Sequence, residues 1–551
     1  MRARIGRLVG AAALVMTGAA AAVGIAAQQT SPALVTAQDI LDGFKNTSRW
    51  LTYAGDYTGR RHSPLAQISR DNVHRLTSQW TFQTDTPGRF EAAPIVVDGI
   101  IYITTGVTNN AWAIDARTGR QIWRYRRELP ARINACCGAP NRGFAVLGDQ
   151  LFMATLDAHV VSLDMKTGSV IWDVVMADSE KGYAATLAPL VVKDKVIVGV
   201  AGGEYGIRGF VEAYDARTGT RVWRFYTVPA PGEPGSETWP ASDAFERGGG
   251  AVWQTGTYDP EQNLIFYGTG NPSPDYYGDD RIGDNLYTNS LLAIDPDTGK
   301  LRWHYQFTPH DQHDWDAVHV PVLADLTIGG RLRKTVIVAN RNGFFYTLDR
   351  VTGKVIVGKP FINTTWAKEL DGDGRPIMMP GYQQPNETGV VTCPSIGGGT
   401  NFFPPSFDPT TGLFYVTTRE SCSTYYAWRQ EHKPGDQFWA GASTRADDFG
   451  PSYGALRAID PTTGQRKWEF RHEGAASQAG ILSTAGGLVF SGDADGNFMA
   501  FDALSGKNLW RYQMGAAVHG VSPVTYMLDG RQYMLIPVNT TLTAFALPIE
   551  P

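Results

Sequence analysis

A short unit that recurs along the chain constrains its fold more than any other sequence feature. It consists of a small or apolar residue, an Asp two positions later, Thr-Gly after two further residues, and a Trp four positions after the glycine. Self-similarity of this kind predicts a repeat fold. Clear copies are AIDARTGRQIW (113–123), SLDMKTGSVIW (162–172), AYDARTGTRVW (213–223), AIDPDTGKLRW (293–303) and AIDPTTGQRKW (458–468). A variant is AFDALSGKNLW (500–510), a degenerate copy without the Trp is TLDRVTGKVIV (347–357), and Trp80 ends a further copy.

Each unit is interpreted as a β-hairpin. The apolar alternation before the Asp predicts a strand, Asp-x-x-Thr-Gly predicts a tight turn whose glycine adopts a positive φ, and the Trp lies on the returning strand. Further alternating runs, such as 93–104 and 188–200, lie between the units. With about 40–50 residues per unit, the chain has enough strands for four-stranded blades. Wider gaps before 293 and 458 leave room for loops on one face.

The eight units predict an all-β fold, namely an eight-bladed β-propeller that occupies 28–551 as a single catalytic domain. We expect the closing blade to combine strands from both ends of the chain. The repeated tryptophans have two interpretations, a surface that binds carbohydrate or aromatic ligands and a packing contact between neighbouring blades. Their regular recurrence favours tryptophan docking between blades.

The N-terminal segment has the pattern of a secretory signal. Arg2, Arg4 and Arg7 precede an uncharged stretch from 8 to 27 that is rich in Ala, Val and Leu and ends in small residues. We therefore predict a signal peptide over 1–27 and a periplasmic mature protein without stable membrane insertion. The alternative is an uncleaved membrane anchor, because the stretch is about long enough to span a bilayer.

Charge and cysteine content narrow the function classes. The net charge of −5 and the absence of basic runs after the first seven positions argue against a nucleic-acid-binding surface. The four cysteines, an even number in an exported chain, suggest two disulfides, for which the sequence alone permits three pairings. Cys136 and Cys137 are adjacent, and a bond between them would close a strained eight-membered ring. They could instead pair elsewhere or stay free.

Four departures from the repeat carry the chemistry. Taken singly, each departure is a weak signal of function, because a Glu after two glycines usually lies in a solvated turn and GTGNP (268–272) could form only a turn. They are NACCGAPNRG (134–143), VAGGEYGIRG (200–209), GGGAVW with YGTGNP (248–253 and 267–272), and FTPHDQHDWDAVHVPVL (307–323).

Together and in this order, the four departures resemble the methanol and ethanol dehydrogenases that depend on pyrroloquinoline quinone (PQQ). The resemblance extends from about Trp50 to the C-terminus and includes Asn141 and Arg142 after the adjacent cysteines. It implies that a Cys136–Cys137 disulfide lies against one face of PQQ and that Trp253 stacks on the other. It also implies a structural disulfide between the remaining two cysteines, Cys393 and Cys422.

The resemblance also implies the other site residues. Arg341 and Asp314 would be catalytic, with Asp314 as the base that takes the proton of the alcohol hydroxyl while hydride passes to quinone C5. Glu204, Asn271, Asp314 and Asp316 would hold a metal ion. The remaining cofactor contacts would be Glu91, Arg142, Thr186, Ala201, Gly202, Gly203, Arg341 and Asn401.

The oxygen ligands narrow the choice of metal ion to two classes, Ca²⁺ and a lanthanide. Carboxylate and amide oxygens suit Ca²⁺ or a similar hard ion, which would polarise the quinone carbonyl as a Lewis acid. Asp316 lies two residues beyond Asp314, so in an extended segment both side chains point to the same side. A third carboxylate, at Glu204, favours a trivalent lanthanide over Ca²⁺. The alternative is that Asp316 forms a salt bridge nearby.

The predicted function is the periplasmic oxidation of small alcohols to aldehydes. The sequence has no Cys-x-x-Cys-His, so we expect electrons to pass to a separate soluble cytochrome c, and a homodimer is compatible with the sequence. Gln478 or a neighbour stands where many relatives have a Trp on the substrate side. Two alternatives are a quinoprotein that oxidises sugars, polyols or polymeric alcohols, and a non-catalytic propeller scaffold of the outer-membrane assembly type.

Overall fold

The computed structural model describes residues 34–450, 452–474, 478–520 and 523–549. The predicted signal peptide, 1–27, lies outside them. The described chain has an all-β, propeller-like fold with seven four-stranded sheets and one five-stranded sheet, together with two smaller sheets. Among the described residues, no helix is long and apolar enough to cross a membrane.

We label the eight larger sheets A to H. Sheet A contains Ile95–Val97, Ile100–Thr104, Ala111–Asp115 and Gln121–Tyr125; sheet B contains Ala145–Leu147, Gln150–Ala154, His159–Asp164 and Val170–Val175. Sheet C contains Leu190–Val192, Lys195–Gly199, Phe210–Asp215 and Arg221–Tyr226; sheet D contains Thr257–Asp259, Leu264–Gly268, Ser290–Ile294 and Leu301–Gln306. Sheet E contains Val322–Ile328, Arg331–Ala339, Phe344–Asp349 and Val355–Pro360; sheet F contains Ser406–Asp408, Leu413–Glu420, Tyr453–Asp460 and Gln465–Arg471. Sheet G contains His62–Ser63, Leu482–Thr484, Leu488–Gly492, Asn497–Asp502 and Asn508–Gln513; sheet H contains Thr77–Gln83, Val524–Leu528, Arg531–Val538 and Thr541–Ala546.

The remaining elements are short. The wide gap before 458, where loops were expected, contains two small sheets, so that expectation was incomplete. These sheets are formed by Ala367–Leu370 with Pro376–Met378, and by Val390–Thr392 with Ser423–Ala427 and Gly441–Arg445. The α-helix is Ala37–Asp42, and 3-10 helices cover Gly43–Lys45, Val73–Arg75, Ser179–Lys181, Gly203–Tyr205, Ser236–Thr238, Asp243–Arg247 and Asp279–Arg281.

Sheet H joins the two ends of the described chain. Thr77–Gln83 pairs antiparallel with Thr541–Ala546, and Trp80 lies opposite Ala544. The expectation of a sheet shared by both ends is therefore confirmed. It also explains why the first repeat copy consists of little more than its Trp, since its partner strand is at the other end of the sequence.

The repeat forms the predicted hairpin turn. In the first full copy, Asp115 Oδ1 accepts hydrogen bonds from the backbone N–H groups of Arg117 (2.9 Å) and Thr118 (3.0 Å). The backbone N–H of Gly119 donates to the Asp115 carbonyl at 2.9 Å, with a φ of 71° at the glycine. The Asp side chain thus closes a turn that needs a glycine at its fifth position.

The repeated tryptophans contact the next repeat copy along the chain. Trp123 donates its indole N–H to the Met165 carbonyl at 2.9 Å, and a Cβ on Gly168 would lie 2.7 Å from the indole ring. The same two contacts join Trp80 to Ala116 and Gly119, Trp172 to Ala216 and Gly219, Trp223 to Pro296 and Gly299, Trp303 to Arg350 and Gly353, and Trp468 to Ala503 and Gly506. Trp510 donates to the Leu76 carbonyl, just before the strand of Trp80.

Strand direction brings the non-repeat segments together. Because the four sequential strands of a sheet alternate in direction, the loop between the second and third strands leaves the same edge as the connection to the next sheet. The repeat turns, between the third and fourth strands, lie at the opposite edge. The site-bearing edge therefore carries Cys136, Cys137, Trp253 and Asp314 on connections between sheets, and Glu204, Asn271 and Arg341 on loops within sheets C, D and E.

Candidate active site

A cavity of about 220 Å³ lies where these segments meet. Most of the predicted site residues line it. They are Glu91, Cys136, Cys137, Arg142, Thr186, Ala201, Gly202, Glu204, Trp253, Asp314, Asp316, Arg341 and Asn401. The two others, Gly203 and Asn271, do not line the cavity but lie next to residues that do.

The two adjacent cysteines form a disulfide, and so do Cys393 and Cys422. The Sγ atoms of Cys136 and Cys137 and a carboxylate oxygen of Glu204 all lie within 4.8 Å of one another. Sulfur ligates metals as a thiolate, so a disulfide offers no strong metal ligand here. The proximity instead places an apolar sulfur pair beside the carboxylate of Glu204.

Arg142 is the centre of a buried polar group on another side of the cavity. Its Nη2 lies 2.9 Å from Glu91 Oε2, and its Nη1 donates to Thr186 Oγ1 at 3.0 Å. Its guanidinium carbon lies 4.9 Å from the ring centroid of Trp253 and 4.4 Å from that of Phe402. Because the guanidinium is held between two aromatic rings and one carboxylate, its orientation is fixed before any ligand binds.

Arg341 contacts the carboxylates of Asp314 and Asp316. Its Nη1 donates to Asp316 Oδ2 at 2.6 Å and lies 3.4 Å from Asp314 Oδ1. Asp316 also accepts from Trp253 Nε1 at 3.1 Å and from the backbone N–H of Asn271 at 2.8 Å. Asp314 has a φ of 58°, so the segment is not extended as expected, yet both carboxylates reach the same guanidinium.

Asp275 is an acidic residue of the site that the sequence analysis missed. It is buried, and its Oδ1 accepts a hydrogen bond from Asn271 Nδ2 at 3.0 Å. The same Nδ2 lies 3.1 Å from the Pro272 carbonyl, so the donors of this amide are engaged and its Oδ1 remains available as a ligand atom. No repeat or motif marks Asp275, and only the fold brings it to this group.

The carboxyls crowd one another in a region with little access to water. Burial raises the pKa of Glu204 to about 7, with a smaller contribution from the charge of Asp316. Burial also raises the pKa of Asp314 well above its ordinary value, against the opposing effect of Arg341. Burial is also the main cause that raises the pKa of Asp275 well above its ordinary value, and the charges of Asp314 and Glu204 raise it further. A group of acids with too little positive charge around it is suited to a bound hard cation.

Further residues that sequence reasoning did not assign also line the cavity. Phe402 and Phe403 follow Asn401 directly in GGTNFFPP, so their position in that motif could have indicated them. Arg89, Arg419 and His519 lie outside any motif. Gln478, noted in the sequence as a departure from relatives, lines the cavity as well.

Comparison with known proteins gives one consistent family. The model of the glucose/ethanol/alcohol dehydrogenase β-propeller domain, named PQQ, matches residues 50–360 and 449–534. Over 533 residues the chain is 39% identical to the quinoprotein alcohol dehydrogenase PedH of Pseudomonas putida, covering 92% of this chain and 88% of that protein. It is 38% identical over 526 residues to the lanthanide-dependent methanol dehydrogenase of Methylacidiphilum fumariolicum, covering 89% and 85% respectively.

Solved structures agree with this family. The quinohemoprotein alcohol dehydrogenase of Comamonas testosteroni superposes with a TM-score of 0.87 at 34% identity, covering 94% of this chain and 83% of that chain. A europium-containing methanol dehydrogenase superposes with the same TM-score of 0.87 at 33% identity, covering 93% of this chain and 100% of that one. The relatives thus include proteins that contain or depend on a lanthanide.

Proposed function

The chain belongs to the family of PQQ-dependent quinoprotein alcohol dehydrogenases, and we propose that it oxidises alcohols to aldehydes with PQQ and one metal ion bound in the cavity. The observation that carries the proposal is the convergence of the Cys136–Cys137 disulfide, Trp253 and a group of carboxylates on this single cavity. An apolar disulfide, a planar indole and a group of hard oxygen ligands are features that suit a planar quinone with a coordinated metal ion.

The residues present fit the cofactor in charge and shape. Arg142 and Thr186 would bind a carboxylate or carbonyl of PQQ, since the guanidinium is already oriented by Glu91 and lies against Trp253. Asn401, Ala201, Gly202 and Gly203 would form further contacts, and the disulfide and Trp253 would cover the two faces of the ring system.

Glu204, Asn271, Asp314 and Asp316 would hold the metal ion. The Asn271 amide is oriented by Asp275 so that its oxygen is left free, and Asp316 has lone pairs left beyond its three hydrogen bonds. Three ionised carboxylates of this set favour a trivalent lanthanide, with Ca²⁺ as the alternative. A bound cation would also lower the raised pKa values of Glu204 and Asp314 and keep both carboxylates ionised.

When bound, PQQ supplies a two-electron acceptor and the metal ion a Lewis acid. The chain's own contribution to the proposed reaction is proton transfer and charge stabilisation. Asp314 Oδ1 faces Arg341, whereas its Oδ2 has no hydrogen-bond donor among the described residues, so we assign Oδ2 as the atom that takes the hydroxyl proton of the alcohol. Arg341 would orient Asp314 and stabilise negative charge that develops beside it.

We propose further that the eight sheets are the eight blades of one propeller over 28–551, held together by tryptophan docking. The indole contacts from one repeat copy to the next support this. The residue pattern of 1–27 supports a signal peptide and a periplasmic protein. We also propose that a soluble cytochrome c accepts the electrons of the reduced quinone.

The test is reconstitution of the purified metal-free and quinone-free protein. It is loaded with PQQ and either Ca²⁺ or La³⁺, and reduction of an artificial dye is followed over a panel of primary alcohols, diols, sugars and polyols. We expect PQQ-dependent turnover that requires a metal ion and is greater with La³⁺, and none when PQQ is omitted. Quinone that binds but supports no turnover with either ion would contradict the proposal.

A further inference from the structure

Arg419 is a cavity-lining guanidinium that the proposed reaction does not use. It lies on Leu413–Glu420, the second strand of sheet F, and lines the same cavity as the disulfide and Trp253. Its backbone N–H donates to the Gly399 carbonyl at 2.8 Å, and the N–H of Gly399 donates to the Arg341 carbonyl at 2.9 Å. Two consecutive backbone hydrogen bonds thus fix Arg419 beside the segment of Arg341.

No carboxylate of the described residues forms an ion pair with Arg419. The adjacent Glu420 pairs with Arg457, whose Nη2 lies 2.8 Å from Glu420 Oε1. The internal segments outside the described residues, 451, 475–477 and 521–522, contain no Asp or Glu. The charges that act on Arg419 are those of Arg341 and Arg445, and with burial, the dominant effect, they lower its pKa to about 10. It therefore remains protonated at neutral pH.

Two further basic residues line the cavity with Arg419. Arg89 is exposed and has no ion pair within the described part of the chain. His519 Nε2 is buried without a hydrogen-bond partner in that same part, and burial with the charges of Arg89 and Arg419 lowers the pKa of His519 to about 4. His519 is therefore neutral at neutral pH and can donate or accept a hydrogen bond. The three residues form a basic and hydrogen-bonding side of the cavity, which we call the Arg419 side.

A guanidinium that is partly withdrawn from water is costly unless an anion compensates it, and none of the residues that the structure describes supplies one. The planar guanidinium matches a carboxylate in geometry and charge. We propose that the Arg419 side binds a carboxylate of a ligand in the cavity, contributed either by an acidic alcohol substrate or by PQQ itself. The substrate form of this inference rests on the proposed function, whereas the cofactor form needs only that PQQ binds.

Two variants separate the charge from its position. Arg419→Gln removes the charge and keeps a hydrogen-bonding side chain. Gly397→Ala keeps the charge but moves it, because a Cβ at Gly397 would collide with Arg419 Nη1, the far end of a flexible side chain. The matched control is Arg302→Gln, which removes an exposed arginine on the outer strand of sheet D.

Two binding measurements distinguish the sources of the carboxylate. PQQ affinity is measured on the quinone-free protein by quenching of tryptophan fluorescence. Binding of hydroxymethylbenzoate and benzyl alcohol, and of ω-hydroxy acids and their parent alcohols, is measured by calorimetry on the loaded protein, and kcat/KM is determined for the same pairs. Because binding is read directly, a protein that binds these ligands without turnover would count against the proposed function and not against the carboxylate site.

If the substrate carries the carboxylate, Arg419→Gln weakens binding and lowers kcat/KM of the acids by about 10- to 100-fold, the effect of one charge-assisted hydrogen bond, and leaves the parent alcohols within about twofold. If PQQ carries the carboxylate, Arg419→Gln raises the Kd for PQQ by the same factor, and any change in kcat/KM is equal for the acids and their parent alcohols. Gly397→Ala should reproduce the pattern in weaker form, and Arg302→Gln should show neither. Unchanged PQQ affinity together with an unchanged acid-to-alcohol ratio in both variants would overturn the inference.

Discussion

The contact between a repeat tryptophan and the glycine of the next repeat copy can be tested with one pair of alanine substitutions. Gly168 has a φ of +72°, and a Cβ there would lie 2.7 Å from Cε3 and 2.9 Å from Cδ2 of Trp123. Gly412 lies in a similar Asp-x-x-Thr-Gly turn, with its N–H on the Asp408 carbonyl and a φ of +69°, but a Cβ there would meet nothing within 4 Å. The two positions differ mainly in the indole.

The expected magnitudes follow from these geometries. An alanine in the left-handed region costs about 1–2 kcal/mol at either position. At Gly168 the methyl group must also displace a buried indole, which adds about 1–3 kcal/mol of overpacking. The effect of alanine on the unfolded chain is the same for both variants and cancels in the comparison. We therefore expect Gly168→Ala to lower the free energy of unfolding by about 1–3 kcal/mol more than Gly412→Ala.

The measurement is urea unfolding followed by tryptophan fluorescence, with midpoints compared at equal slope. If unfolding is irreversible, unfolding rates at one temperature replace the midpoints. Equal destabilisation by both substitutions would refute the idea that the indole restrains the neighbouring turn, and with it the proposed docking of one sheet on the next. Greater loss in Gly412→Ala would do the same.

Three further predictions concern the site and its surroundings. Asp314→Asn should retain bound PQQ, seen by its absorbance, but lower turnover by about 100- to 10,000-fold, because the amide cannot take a proton; substantial remaining turnover would show that another group is the base. Asp316→Ala should lower La³⁺-supported activity more than Ca²⁺-supported activity in the dye assay, because the trivalent ion needs more negative charge, and equal loss would argue against a lanthanide. Burial lowers the pKa of His319 from 6.5 to about 3, and its Nε2 donates to the Phe403 carbonyl, so the unfolded chain takes up a proton first as the pH falls. Stability contributed by neutral His319 is full above pH 6.5 and is lost towards pH 3, by up to about 4 kcal/mol; His319→Gln should weaken this dependence in urea titrations at several pH values, and an unchanged dependence would contradict the assignment.

The repeat made most of the fold predictable, because its information is local. Asp115 and Gly119 form their turn within five residues, and Trp123 follows at a fixed distance, so each hairpin could be derived without knowledge of the rest of the chain. Only the shared sheet depended on a long-range argument, the incomplete first copy at Trp80. The small sheets before 458 interrupt the repeat and carry no periodic signal of their own, so they were expected only as loops.

The candidate site was predictable where it departs from the repeat in a motif. Cys136, Cys137 and Glu204 belong to two of the four segments that depart from the repeat, and the structure places both Sγ atoms and a Glu204 carboxylate oxygen within 4.8 Å of one another. Asp275 and Arg419 do not stand out, because an Asp after a Pro and an Arg within a strand are ordinary in sequence. Their importance depends on residues far away in the sequence. Asp275 lies among other acids, and the carboxylate next to Arg419, that of Glu420, already pairs with Arg457. No local sequence pattern can indicate either circumstance.

The pairing of Thr77–Gln83 with Thr541–Ala546 has a consequence for biosynthesis. The two strands are joined by a hydrogen bond from Thr77 Oγ1 to the Ala546 carbonyl across 469 positions of sequence. A chain that enters the proposed periplasmic location N-terminus first can form sheets A to F in order as their strands appear, but the strand of Trp80 must wait, one edge open, until Thr541–Ala546 has arrived. A chain that lacks Thr541–Ala546, or is halted before this strand has arrived, would therefore expose an unpaired β-strand, the kind of edge that recruits other chains and promotes aggregation.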